Sequence, residues 1–226
     1  MAQMSTQFIF LDVKSEVEPE NPASDLGEAL LELFRATKSQ SGHRSSAWGR
    51  SIEEPKNIVW VIDWTDARCS INPELLKPFL ANEDQPLTAV YATLTPPISS
   101  TDTLTKNPVT ELFFLPVSTV ISEYESRQLH ADLIKLRSVM VTRLPQAEGP
   151  VSWSMGQLGR PSTVRHEQSP SGRATVHLLI VGWESVETHS RARETKEFVD
   201  VFTPVSERLL PPIPELGMKH VRFQSI

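Results

Sequence analysis

The sequence predicts an α+β chain that consists of two βαββαβ units in tandem. Two observations support this prediction: an internal repeat of apolar strands, and amphipathic segments that follow the first and third strand of each copy. The repeat is clearest where a strand ends in tryptophan, at Ile58–Trp64 and again at His177–Trp183. A polar turn and a helix-like segment follow each of these strands. This order of elements is the ferredoxin-like pattern.

Two further pairs of segments support the repeat in the same order. Phe8–Val13 matches Leu112–Val117, and Ser46–Arg50 matches Trp153–Gln157. The stretch between the copies contains a Pro-Pro pair and many Ser and Thr residues, which is typical of a linker. We therefore expect an N-terminal unit over residues 1–95, a linker over 96–107 and a C-terminal unit over 108–226.

In the first unit, apolar periodicity and capping residues predict each element. Leu26, Leu30 and Phe34 recur at helical spacing, and Ser24 is a suitable N-cap for that helix. Pro73 is suited to the first turn of a short second helix. The expected strands are Phe8–Val13, Arg44–Arg50, Asn57–Trp64 and Leu87–Leu94, and the expected helices are Asp25–Lys38 and Pro73–Leu80.

The second unit is predicted in the same way. A helix is expected over Glu123–Thr142, because its leucines and Met140 recur on one face. Another is expected over Val186–Leu209, and Pro204 should bend or break it. The last strand is expected at His220–Ser225.

The composition excludes several classes of protein. The chain has 226 residues, a net charge of -6, one cysteine and only nine glycines. A lone Cys69 cannot form an internal disulfide, and no glycine-rich phosphate loop is present. The acidic balance disfavours nucleic acid, and no apolar run is long enough for a membrane span. We also see no signal peptide, so we expect a cytoplasmic protein without nucleic-acid or membrane partners.

The segment Gly182–His189 reads Gly-Trp-Glu-Ser-Val-Glu-Thr-His. It resembles the signature of dimeric α/β-barrel proteins of the antibiotic biosynthesis monooxygenase type, where an apolar strand ends in Trp and an acidic-Ser turn leads to an early helical His. The first copy keeps Trp64 but has Ser70 where that His would fall. The resemblance implies two antiparallel sheets that face each other as an α/β barrel, here within one chain. A sheet covered by helices on one face needs a cover for the other.

In that family the motif tryptophan lines the cavity. Strand alternation places Trp60 with Trp64, and His177 with Trp183, on matching faces of the third strands. We therefore expect these four side chains to point into the barrel, where they would line a pocket between the sheets.

The last strand gives an independent reason to expect a polar pocket. Val221 and Phe223 share one face, and the apolar pair should meet the helices. The polar side chains of His220, Arg222 and Gln224 would then point into the barrel, where they need partners or a ligand.

These arguments define the candidate site. The expected catalytic residues are His177, His220 and Arg222. The expected substrate contacts are Trp48, Arg50, Trp60, Trp64, Tyr91, Trp153, Trp183 and Gln224. The alternatives are that the tryptophans simply fill the core, that His177 is a satisfied core histidine, that the polar trio lies on an open edge, and that His189 lies at the surface.

The site chemistry points to an enzyme without a cofactor or metal, since no metal-ligand or serine-nucleophile motif is present. An aromatic pocket suits an apolar polyketide- or terpenoid-like substrate, a His can move protons, and an Arg can hold an enolate. The resemblance implies cyclases and cofactor-free oxygenases of secondary metabolism. We expect a cyclase or isomerase. The alternatives are a cofactor-free monooxygenase, a non-catalytic binding or stress-type protein, or an interaction module. Monomer and homodimer stay open.

Overall fold

The computed structural model describes residues 4–101, 103–145 and 148–226. Nine strands and five α-helices follow one another along these ranges. In chain order they are β1 (Ser5–Asp12), α1 (Asp25–Thr37), β2 (His43–Ser51), β3 (Asn57–Trp64), β4 (Thr88–Thr95), α2 (Ile98–Thr101), β5 (Val109–Ser118), α3 (Glu123–Thr142), β6 (Ser152–Arg160), β7 (Val164–Arg165), β8 (Arg173–Trp183), α4 (Val186–Glu194), α5 (Lys196–Ser206) and β9 (Lys219–Ser225). Two 3-10 helices lie at Pro73–Phe79 and Pro214–Leu216.

Eight of the strands close into an antiparallel barrel. Their order is β5-β9-β2-β3-β1-β4-β6-β8, and β8 pairs back with β5, which closes the ring. The first half contributes four neighbouring strands in the order β2-β3-β1-β4, and the second half contributes β6-β8-β5-β9 in the corresponding arrangement. The halves meet along two seams, β2 with β9 and β4 with β6. The predicted α+β barrel is therefore confirmed.

Apolar side chains from both halves fill the barrel. Phe114 of β5 lies between two aromatic rings of β1, 6.3 Å from Phe8 and 5.7 Å from Phe10 between ring centroids. Val, Ala and Leu side chains of the other strands complete this core. The prediction of a pocket between the sheets is wrong for the middle of the barrel, because these apolar side chains occupy that space.

The predicted sets of residues that share a strand face are correct, but the face that carries the tryptophans points away from the barrel lumen rather than into it. Trp48, Trp60 and Trp64 pack outside the barrel in the layer beneath α1. Trp153 and Trp183 pack in the corresponding layer beneath α3 and α5. Both faces of each sheet are apolar, so alternation alone does not say which face meets the helices. All five indole rings lie in the sheet–helix layers, and Phe, Val, Ala and Leu side chains fill the lumen.

The same inversion holds for the last strand. Val221 and Phe223 point into the barrel core, so the polar side chains of β9 point outward. The expectation that His220, Arg222 and Gln224 face the lumen is therefore wrong.

The helices follow the predicted periodicity, with one difference. Helix α3 has the expected bounds and begins at a capping box between Ser122 and Glu125. The segment predicted as one helix from Val186 is two helices, and the break lies at Thr195 rather than at Pro204. The Thr195 hydroxyl donates to the Ala192 carbonyl at 2.6 Å and accepts from the Phe198 amide at 3.2 Å, so it ends one helix and caps the next. Within the described ranges, no helix combines the length and apolar character of a membrane span.

Replacing Phe114 with alanine tests whether the two halves share one core. Because this buried ring bridges β5 and β1, we expect the free energy of unfolding to fall by about 3–5 kcal/mol in urea titrations. Val120, whose exposure is 60%, provides the control, and Val120→Ala should change it by less than about 0.5 kcal/mol. Equal small effects for both variants would contradict a core shared across the barrel.

Candidate functional site

A chain of buried ionisable side chains lies on the outer face of the second half. It consists of Glu53, His220, His189 and Glu111, with Trp183 beside it. His220 Nδ1 hydrogen-bonds to Glu53 Oε1, and His220 Nε2 lies 2.8 Å from His189 Nδ1. His189 Nε2 lies 3.5 Å from Glu111 Oε2. The Trp183 indole N–H donates to the same Glu111 oxygen at 3.0 Å.

Strand register and helix placement bring these residues together. Glu111 on β5 is the direct cross-strand partner of His220 on β9. His189 lies in the first turns of α4, which follows the strand that ends in Trp183, and its ring stacks on that indole with centroids 4.8 Å apart. Glu53 comes from the turn after β2, so the first half supplies one end of the chain.

The chain runs from solvent to a dry interior. Glu53 is partly exposed, whereas His220, His189 and Glu111 are each at most 4% exposed. Buried ionisable groups are costly unless they are paired, so three of them in a row mark a functional-site candidate. In the described parts of the chain, no group of three or more His, Cys, Asp or Glu side chains is placed to hold a metal ion.

Burial sets the protonation states along the chain. It raises the pKa of the Glu111 carboxyl above its usual range, although the Trp183 hydrogen bond acts against it. It also lowers the pKa of His189 to about 3, and the neighbouring His220 and Arg193 act in the same direction. Partial burial acts to raise the pKa of Glu53, but hydrogen bonds from His220 outweigh it and lower that pKa below its usual range.

These directions favour a protonated Glu111, a neutral His189 and an ionised Glu53. In this arrangement the Glu111 hydroxyl faces His189 Nε2, His189 Nδ1 donates to His220 Nε2, and His220 Nδ1 donates to Glu53. Shifting two protons one step outward gives an ionised Glu111 and a His220 imidazolium beside the Glu53 carboxylate. The number of bound protons is the same in both arrangements. The four side chains can therefore move a proton from Glu111 towards Glu53 without releasing a proton to solvent.

A narrow cavity adjoins the buried end of this chain. Glu111 and His189 line it together with apolar side chains from the sheet, α3 and α5, and Arg193 lies at its exposed rim. Its volume is about 20 Å³, which is room for about one water molecule. Trp153 also lines the cavity, and its buried indole N–H has no hydrogen-bond partner among the described residues. The remaining lining residues are Phe113, Leu136, Met140, Leu179, Val181, Phe198, Phe202 and Met218.

The structure brings few of the expected site residues together. Of the three expected catalytic residues only His220 belongs to the buried chain, while Arg222 is exposed. His177 is half-buried on the same outer face, where burial and the nearby His130 lower its pKa. Gln224 is exposed. Trp153 and Trp183 adjoin the cavity or the chain, whereas Trp48, Trp60 and Trp64 belong to the layer beneath α1.

Arg50 and Tyr91 have partners elsewhere. Arg50 forms a two-bond ion pair with Glu20, with both N···O distances at 2.8 Å. The guanidinium of Arg160 lies over the Tyr91 ring, 3.5 Å from its centroid. Both residues lie away from the cavity that adjoins Glu111. Their expected contact with a substrate stays a prediction, without support from this geometry.

Sequence reasoning missed Glu111 and Glu53, and it left His189 open to a surface reading. Glu111 is the one charged residue in the strand Val109–Ser118. A lone carboxylate in a largely apolar strand is a usable signal, because such a group needs a buried partner. Glu53 carries no comparable signal, since it lies in a polar turn and meets His220 only across the seam between the halves.

Solved structures share this fold, whereas sequence comparisons find nothing. No protein-family model and no curated protein matches the chain. The structure is similar to an anthrone oxidase-like protein, with a TM-score of 0.62 and 9% identity over 100% of this chain and 94% of that one. It is also similar to proposed monooxygenases from Fusobacterium nucleatum and Lactobacillus acidophilus. Each has a TM-score of 0.54, at 10% and 7% identity, over 99% of this chain and 93% and 98% of theirs. These neighbours show that the chain has a dimeric α/β-barrel fold.

The opposite pKa shifts of Glu111 and His189 predict opposite effects of pH on stability. His189 takes up a proton only on unfolding, so it makes stability fall as pH drops from 6.5 towards 4.5. Burial raises the pKa of Glu111 in the folded state, so the folded protein holds this proton more tightly than the unfolded chain does, and Glu111 makes stability rise as pH drops. In the wild type the two effects oppose each other.

Single variants should separate the two effects. We expect Glu111→Gln to steepen the loss of unfolding free energy on acidification, and His189→Gln to reverse it, by up to about 1.4 kcal/mol per pH unit each. Urea titrations across the window measure the slopes relative to the wild type, and the exposed Glu123→Gln serves as control. Parallel slopes for all four proteins would rule out the assigned protonation states.

Proposed function

We propose that the chain is a cofactor-independent enzyme that moves protons on an apolar small molecule, most simply a cyclase or isomerase of polyketide- or terpenoid-like compounds. The observation that supports this proposal is the continuous chain from Glu53 to Glu111, whose buried end adjoins an apolar cavity. A buried carboxyl of raised pKa is suited to general acid–base catalysis near neutral pH. Through His189, His220 and Glu53, the Glu111 carboxyl has a proton route to solvent that does not pass through the cavity.

The chemistry follows from the two proton arrangements. With its proton shifted to His189, the Glu111 carboxylate takes a proton from a carbon that is next to a substrate carbonyl or conjugated with it. The C–H electron pair moves to the carbonyl oxygen, which becomes an enolate. Arg193 at the rim and the unpartnered Trp153 N–H are the donors available to that oxygen. Return of the proton to another carbon completes an isomerisation. In a cyclisation the enolate carbon attacks a second carbonyl, and the oxygen of that carbonyl takes the proton back from Glu111.

The cavity must widen to admit such a molecule, because its volume of about 20 Å³ is far below the roughly 300 Å³ of typical ligand pockets. On the side of the cavity that faces α3 and α5, the wall consists of helix side chains rather than of a strand backbone. Phe202 and Met218 are only partly buried there. We propose that these two side chains move aside when a substrate enters.

We further propose that the barrel arose from two ferredoxin-like units in tandem, with boundaries near residues 95 and 108. The matching strand orders of the two halves support this proposal. So does the matching position of the two strand-ending tryptophans, since Trp64 pairs with Ser5 and Trp183 pairs with Val109 at the start of the corresponding strands. Among the described residues, the buried members of the ionisable chain (His220, His189 and Glu111) all belong to the second half, so the site is asymmetric.

A cofactor-free monooxygenase is the second candidate. The solved neighbours include an anthrone oxidase-like protein and proposed monooxygenases. Carbanion formation by Glu111 is also the first step that such an oxidation needs.

The non-catalytic binding protein is the third candidate, and it is favoured by the filled barrel core. We place the protein in the cytoplasm, as a monomer or homodimer.

Anthrone in deuterated buffer tests the proposal, with the smaller ketone 2-tetralone beside it. A cyclase or isomerase site should catalyse exchange of the acidic C–H positions without oxygen uptake, followed by NMR and an oxygen electrode. A monooxygenase should consume one O₂ per anthrone and yield anthraquinone and water. Exchange and oxygen uptake at buffer rates, with saturable quenching of tryptophan fluorescence, would instead support binding alone.

The variant Glu111→Gln should lower either catalysed rate by about 100-fold or more, because the amide keeps the Trp183 hydrogen bond but cannot take up a proton. His189→Gln should lower it by a comparable factor, since it cuts the route to His220. Glu123, which is largely exposed on α3, provides the matched control, and Glu123→Gln should retain the wild-type rate. Wild-type rates for Glu111→Gln would exclude this carboxyl as the proton-transfer group.

A further inference from the structure

One open end of the barrel holds a polar cavity that is separate from the site beside Glu111. It lies where β1 ends and where β3, β4 and β9 begin, and its volume is about 100 Å³. The lumen residue Phe10 forms part of its floor. The polar residues that line it are Asp12, Glu54, Asn57, Asn82, Gln85, Thr88, Glu215 and Lys219.

Lys219 is the unusual member of this set. Its side chain is only 3% exposed, although lysine is rarely buried to that extent. Its ammonium group is 2.5 Å from Glu54 Oε2, and among the described residues this is its one hydrogen-bond partner. An ammonium group has three N–H donors, so two of them have no protein acceptor. Burying unused donors costs free energy unless another molecule accepts from them.

Asn57 contributes the complementary group. Its side-chain oxygen Oδ1 is buried and has no hydrogen-bond partner among the described residues. Asn57 is the cross-strand partner of Asp12, so an amide oxygen and a carboxylate meet at the same rim. This part of the cavity therefore offers acceptors, whereas the Lys219 part offers donors.

The surrounding charges favour a ligand that carries both signs. Lys219 and Glu54 neutralise each other, and Asp12 and Glu215 leave the cavity acidic. A carboxylate alone would meet this negative surplus, and a simple cation would leave the Lys219 donors unused. A small molecule with an ammonium group and a carboxylate satisfies both ends of the cavity.

We propose that this end of the barrel binds a small amino-acid zwitterion, whose carboxylate accepts from Lys219 and whose ammonium group donates to Asn57 Oδ1 and Asp12. One water molecule needs roughly 10–15 Å³ of such cavity volume, so the volume of about 100 Å³ holds several water molecules. It therefore admits a small amino acid such as glycine or serine. The proposal concerns binding alone and is independent of the reaction beside Glu111.

Saturation-transfer NMR on the full chain tests it with four probes: glycine, L-serine, acetate and methylammonium. We expect glycine and serine to bind saturably, and at least about tenfold more tightly than either single-charge probe. These measurements need only the wild-type protein. Equal affinity for acetate and glycine, or no saturable amino-acid binding up to about 10 mM, would overturn the proposal and leave ordered water as the occupant.

Variants assign the contacts. Lys219→Met and Asn57→Leu should each weaken glycine binding about tenfold or more. The first removes a charge-assisted hydrogen bond to the ligand carboxylate, and the second removes the Oδ1 acceptor for the ligand ammonium group. The exposed Lys56→Met is the matched control and should leave the affinity unchanged. Glu111→Gln should also leave it unchanged, so failure of the catalytic proposal does not affect this result. Unaltered affinity in a folded Asn57→Leu variant would contradict the assigned site.

Discussion

The closing of the barrel around an apolar core is the constraint on which the rest of the structure depends. Once Phe8, Phe10 and Phe114 fill the lumen, every large polar assembly must lie at a barrel end or in the layer between sheet and helices. The second-half layer holds the buried histidines, and the barrel end holds Lys219. Because β9 alternates between lumen and outer layer, the adjacent residues point to different sites: Lys219 lines the cavity at the barrel end, and His220 joins the buried ionisable chain.

The seam between β2 and β9 connects the two halves at the site itself. The turn after β2 carries Glu53 and Glu54 side by side, and they bind His220 and Lys219 respectively. The backbone amide of Ile52 also donates to the His220 carbonyl at 2.8 Å. Without the first half, His220 would lose the Glu53 carboxylate. The arrangement in which His220 is an imidazolium would then have no counter-ion. The complete proton chain is a property of the paired halves.

Much of the fold could be predicted from the sequence, because each element carries a local signal. The strand–Trp repeat and the capped helix α3 depend on periodicity and caps within a few residues. The side of the sheet on which the tryptophans lie could not be predicted, because Trp60 and Val59 belong to faces of equal apolar character. The site was mostly missed for a similar reason: the contact between Glu53 and His220 spans 167 positions in sequence and depends on strand order.

The strand register explains why the first half lacks a corresponding proton chain. Gln7 stands two residues after the partner of Trp64, as Glu111 stands two residues after the partner of Trp183. Each accepts the indole N–H of its tryptophan, at 2.9 Å for Gln7 and 3.0 Å for Glu111. The cross-strand partner of Gln7 is Tyr91, where Glu111 has His220.

An amide and a phenol thus hold the positions of a carboxyl and an imidazole. They keep the hydrogen bond that orients the indole, but neither changes its charge near neutral pH. The indole–acceptor pair therefore belongs to the framework of both halves. The proposed proton transfer depends on Glu111 and His220 at these positions, together with the His189 ring that α4 places above Trp183.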